Sequence, residues 1–116
     1  MKEKDFQQQV ISIARMYGWK VQHSRAVQMA NGRWATPIQG EAGFPDLVLV
    51  KSNHDGRGGV IFAELKTDLG RVGKEQHAWI DALEAAGAEW YVWRPTDLLA
   101  ISHRLSALSS NVAVTQ

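Results

Sequence analysis

The sequence predicts an α/β fold in which helices flank a mixed central sheet, in the order helix, strand, strand, strand, helix, strand, helix. Three observations predict it. Apolar residues recur at helical spacing near both ends of the chain, two short runs rich in branched residues are separated by a glycine-rich turn, and a strand-helix-strand succession spans 60–94. The two runs make an antiparallel hairpin, whereas the strand-helix-strand unit favours a parallel right-handed crossover, so the sheet is mixed. A chain of 116 residues, 45% hydrophobic and 22% charged, has the balance of one folded domain.

Phe6, Val10, Ile13 and Tyr17, widened by Ile11 and Ala14, form the apolar stripe of an amphipathic helix over 3–17, which Gly18 stops. Trp19, Val21 and His23 then alternate with polar neighbours, the period of a half-buried strand. Residues 28–43, rich in Gly, Asn, Thr and Pro, read as a long surface loop with Arg33 and Trp34 at its tip. Strands follow at 46–51 and 60–66, joined by a turn over 52–59. That turn is no phosphate cradle, since neither a Gly-Lys-Ser/Thr nor a helix follows it. A second loop over 67–73 leads to a helix over 74–86 that is expected to bury Trp79, Ile80, Leu83 and Ala86, with Gly87 ending it. Glu89 to Arg94 form the last strand and Pro95 stops it. With Thr96 as N-cap, Leu98, Ile101, Leu105 and Leu108 space out a final helix. A single domain over 1–108 is expected, with 109–116 as a frayed tail.

The absence of Cys removes thiolate zinc sites, iron-sulfur clusters and cysteine nucleophiles. No apolar run is long enough to cross a bilayer and the first residues lack the apolar core of a secretory signal, so a soluble cytoplasmic protein without a membrane partner is expected. The net charge of +1 conceals a segregation: Arg15, Lys20, Arg25 and Arg33 lie in an acid-free stretch, whereas from Glu41 onward ten acids face seven bases. This permits a basic face beside an acidic site, but chance clustering of solvated charges explains it as well.

The hairpin carries the chemistry. With its turn centred between residues 55 and 56, paired positions sum to about 111, which sets Asp46 across from Lys66 or its neighbours. Glu64 and Lys66, two apart on one strand, share a face. Glu64 interrupts an apolar run, where an unpartnered carboxylate is costly. Two readings of the cluster stay open at this level: an ion-paired knot of Asp46, Glu64 and Lys66, or two carboxylates sharing a divalent cation. For oxygen ligands without a His pair, magnesium or manganese fits better than zinc. His23, His54, His77 and His103 lack metal-ligand spacing; His54 reads as turn and His103 as helix surface, with His23 and His77 left as outer-layer or ligand-facing residues.

Pro45-Asp46 followed by Glu64-Leu65-Lys66 resembles the PD-(D/E)XK signature of the restriction-endonuclease-like nucleases. The longer succession is more specific. It comprises Gly43-Phe-Pro-Asp-Leu-Val-Leu-Val50, Phe62-Ala-Glu-Leu-Lys-Thr67, Glu75-Gln76 opening a helix, Gly87, and Trp90-Tyr-Val-Trp-Arg-Pro95. It resembles the virus-type replication-repair nuclease (VRR-NUC) domain, whose small stand-alone members occur in phages and prophages and share a core with archaeal Holliday-junction resolvases. The resemblance implies a restriction-endonuclease-like core and hydrolysis of DNA phosphodiesters. It makes Asp46 and Glu64 the carboxylate ligands of Mg2+ or Mn2+, completed by the main-chain carbonyl of Leu65, and has Lys66 orient or deprotonate the attacking water. Glu3 matches the amino-terminal acidic position and Gln76 the motif glutamine. Arg25, Arg33, Arg71 and Lys74 are candidate phosphate contacts because they lie in or beside the two loops, and Trp34 is a candidate for stacking on a base. The resemblance also implies branched DNA as substrate, a homodimer, and the cytoplasm of a bacterial host if phage-encoded. Two other readings remain: a DNA-binding or assembly module of this fold without chemistry, and a restriction-type duplex endonuclease, for which 116 residues leave little room.

Overall fold

A computed structural model describes residues 1–24, 27–35 and 40–106, excluding the side chains of Val27, Gln28 and Trp34. The first helix, α1 (Glu3–Met16), buries Phe6, Val10, Ile11 and Ala14, the stripe expected from their spacing. The amides of Gly18 and Trp19 close its end on the carbonyls of Arg15 and Ala14. Strand β1 (Lys20–His23) follows, and then two short strands, β2 (Val27–Gln28) and β3 (Trp34–Ala35), which pair antiparallel. The expected long loop over 28–43 therefore contains a small hairpin. Its turn is closed by Met29 N to Arg33 O (2.7 Å) and Gly32 N to Met29 O (2.9 Å), backbone bonds that polar composition does not announce.

Strands β4 (Leu47–Lys51) and β5 (Gly59–Leu65) form the expected antiparallel hairpin. Helix α2 (Lys74–Ala85) crosses to β6 (Glu89–Trp93), which lies parallel to β5, so the four-stranded sheet, in the order β1-β4-β5-β6, is mixed as expected. Pro95 does more than stop β6. Residues Pro95–Asp97 make a 3-10 turn in which Asp97 Oδ2 accepts from Arg94 N (2.9 Å), and this turn, in place of a Thr96 cap, leads into α3 (Leu98–Leu105). Leu108 and the tail over 109–116 lie outside the described residues.

Alternation along the hairpin divides the sheet into two faces. Leu47, Leu49, Ile61, Ala63 and Leu65 are buried in one core with the α1 stripe and with Ile101 and Leu105 of α3. Positions of the opposite parity, Phe62 and Glu64 among them, face the other side, where Gln76 of α2 reaches Glu64. Two Trp, Trp19 and Trp93, belong to the core, and the Trp19 indole donates to Leu105 O (3.0 Å). α2 is less embedded than its apolar spacing implies: Leu83 is buried, Trp79 and Ile80 are half-buried, and Ala86 is exposed. Its ring contact is between Trp79 and Phe44, in the segment before β4, and Leu83 is its buried residue.

Candidate active site

The hairpin register sets the site. Pairs in β4 and β5 sum to 110, one less than the turn-centred count, because Leu47 lies opposite Ala63. One step further along the ladder, Asp46 comes level with Glu64 and not with Lys66. The Leu65 amide donates to Asp46 Oδ2 (2.9 Å), tying the aspartate to the end of β5. Just beyond the strand, Lys66 N donates to Trp93 O (3.0 Å), which extends the β5–β6 pairing and fixes where the lysine leaves the sheet.

Glu64 is the buried charged residue of the described chain, 4% exposed. Its Oε2 accepts from Gln76 Nε2 (2.6 Å) and lies 3.6 Å from Lys66 Nζ, whereas its buried Oε1 accepts from no N–H or hydroxyl group. Burial first, and then the Asp46 carboxylate, push Glu64 up to about 8, with the Lys66 ammonium opposing. Burial also raises Asp46, against the Leu65 amide and the charges of Lys66 and His23. At neutral pH, without a cation, the two carboxyls hold a proton between them.

A divalent cation fits these residues. It would relieve the repulsion that the proton relieves, satisfy the orphaned Oε1 and find hard oxygen donors in Asp46, Glu64 and the Leu65 carbonyl. No group of three or more His, Cys, Asp or Glu side chains that could hold a metal occurs among the described residues.

Gln76 has two partners. Its Nε2 holds Glu64 and its Oε1 accepts from Gly73 N (2.7 Å), which joins the start of α2 to the carboxylate. Gly43 permits that approach: at φ +95°, an added Cβ would lie 2.5 Å from the Glu75 carbonyl carbon. Phe44 then packs edge-on against Phe62 (6.2 Å) and Trp79 (4.9 Å), and the Trp79 indole donates to Glu41 O (3.2 Å). These contacts bring Asp46, β5 and α2 to one place, and the sequence reading assigned no role to Gly43, Phe44 or Phe62. Arg94 is a further residue to which the sequence patterns assign no role. Its Nη1 donates to the carbonyls of Thr67 and Gly70, both at 2.7 Å, and holds the turn after Lys66. A cation between an apolar strand and Pro95, with no acidic neighbour before Asp97, is the signal that could have singled it out.

Glu3 is exposed on the first turn of α1, its Oε2 accepting from Gln7 Nε2 (3.3 Å). Arg33, Arg71, Lys74 and His77 are exposed, and the charge of His23 reaches Asp46. Arg25 and the Trp34 side chain lie outside the described residues.

No curated protein and no solved structure matches the chain. The family model of the VRR-NUC domain matches residues 4–96, a span that contains Asp46, Glu64, Lys66 and Gln76. With most of its length inside that match, the chain belongs to the VRR-NUC domain family, nucleases of the PD-(D/E)XK type that act on DNA.

Proposed function

We propose that this protein is a divalent-metal-dependent endonuclease that hydrolyses DNA phosphodiesters, with Mg2+ or Mn2+ held by Asp46, Glu64 and the main-chain carbonyl of Leu65. The observation that carries this reading is the buried Glu64 carboxyl, with its partnerless Oε1, level with Asp46. When bound, the metal supplies charge neutralisation at the scissile phosphate and lowers the pKa of a water.

The chain's own residues do the rest. Gln76 fixes the Glu64 side chain through Oε2 and leaves Oε1 for the cation. Lys66, its side chain 16% exposed and its ammonium 3.6 Å from Glu64 Oε2, orients the attacking water and adds a positive charge beside the phosphate. Glu3 keeps the role of the amino-terminal acidic group, and Arg33, Arg71 and Lys74 meet backbone phosphates. Branched DNA as the preferred substrate and a homodimer as the working unit complete the proposal, because two symmetric cuts need two sites.

The test is cleavage of labelled four-way junction, flap, single strand and linear duplex in manganese. Expected is cutting of the branched substrates that is lost in chelator and in Glu64→Ala and Lys66→Ala. A folded protein that cuts none of them and binds neither metal by calorimetry would be a DNA-binding module instead. Light scattering that gives a monomer with and without junction would rule out the dimer.

A further inference from the structure

Leu69 is 93% exposed, the most exposed large apolar side chain among the described residues, so it contributes nothing to the core. Its backbone is nevertheless held firmly. The turn closes on itself through Gly70 N to Thr67 O (3.1 Å), and the Arg94 guanidinium ties the carbonyls of Thr67 and Gly70 at 2.7 Å and reaches that of Asp68 at 3.5 Å. The same turn lies close to the Lys66 stem, for a Cβ added at Gly70 would come within 3.5 Å of Lys66 Cδ. A rigid turn thus carries a bare leucine three residues beyond the lysine of the site. Single exposed leucines are ordinary on protein surfaces. This one differs in being fixed on a turn that begins at the lysine of the candidate site, in a domain that acts on DNA.

We infer that Leu69 is a wedge that enters the base stack of the substrate next to the scissile phosphate, carried on the turn that Arg94 clamps. The inference rests on the nuclease reading of Asp46, Glu64 and Lys66. Apolar side chains inserted between base steps unstack and kink DNA, at a cost lowest where stacking is already interrupted, as at a branch point. Exposed Asp68 adds a negative charge to the turn, so its tip is unsuited to gripping phosphate and offers contact to base faces instead. A fixed wedge also enters without first being ordered, so less of its contact energy is lost.

The experiment places 2-aminopurine at the branch point of a four-way junction and reads its fluorescence on adding the full chain in chelator, where nothing is cut. Wild type and Leu69→Phe should raise the signal severalfold, and Leu69→Ala, which removes no buried contact, should raise it by less than half as much. In manganese, Leu69→Ala should cut the fully paired junction about tenfold more slowly than wild type, and a junction with a mismatch at that step within about twofold of it. Equal fluorescence for wild type and Leu69→Ala, or the same loss on paired and mismatched junctions, overturns the wedge. Cleavage that survives Glu64→Ala would refute the nuclease site instead, while the chelated fluorescence still decides the role of Leu69.

Discussion

At the scale of the residue, Glu64 couples folding to pH. In the folded chain it holds its proton up to about pH 8, against an ordinary value of 4.5. The folded state is therefore favoured fully below about pH 4.5 and loses that advantage as pH rises through about 8, with Asp46 acting in the same sense. In chelator, the melting temperature is expected to fall across this window. Glu64→Gln, which needs no proton to stay neutral, should flatten the fall and stabilise the protein near pH 9 by on the order of a few kcal/mol, measured by thermal or urea unfolding. Manganese should raise the wild-type melting temperature most at the alkaline end, because metal and proton compete for one carboxyl. The Gln76 amide makes a different contribution, as it positions Glu64 without titrating. Gln76→Ala is expected to weaken manganese binding by roughly 10- to 100-fold in calorimetry while the fold persists.

At the scale of the element, the site depends on how closely the 41–46 segment meets the start of α2. Gly43 combines a left-handed φ of +95° with backbone atoms 2.5 Å from where a Cβ would stand. Gly43→Ala must therefore both strain the turn and push α2 away, at about 1–3 kcal/mol for the strained backbone alone. A lowered melting temperature should come with loss of cleavage, since the same shift carries Gln76 off Glu64. Phe44→Ala removes the ring joining Phe62 to Trp79 and is expected to cost less stability, because these rings are only half-buried. Survival of full activity in Gly43→Ala would mean that α2 does not need this approach.

At the scale of the whole molecule, the sheet separates the main core from the candidate site by parity. Leu47, Leu49, Ile61, Ala63 and Leu65 pack under α1 and α3, while Glu64 turns towards α2. Ile61→Ala should cost roughly 2–5 kcal/mol by creating a cavity in the core, with the cleavage rate per folded molecule little changed at low temperature. Lys66→Ala should do the reverse, abolishing cleavage with a small change in melting temperature. Denaturation curves and single-turnover rates on the same pair of variants measure both. Parallel losses of stability and rate in both would show that the faces are not independent.

The sequence by itself determined the two terminal helices, the hairpin, the parallel crossover and the carboxylates and lysine of the candidate site. Each of these is written in local periodicity or in a charge that breaks it, as Glu64 breaks the run from Val60 to Leu65. Only the tertiary structure decided that Asp46 stands level with Glu64, because one residue of register depends on backbone pairing in the 52–59 turn, which composition leaves open. The same holds for Gln76 reaching Glu64, for Arg94 gathering the carbonyls of the 67–70 turn, and for the β2–β3 hairpin inside an otherwise polar stretch. In each case the partners are distant in the chain or are main-chain atoms, whose bonding leaves no mark on residue type.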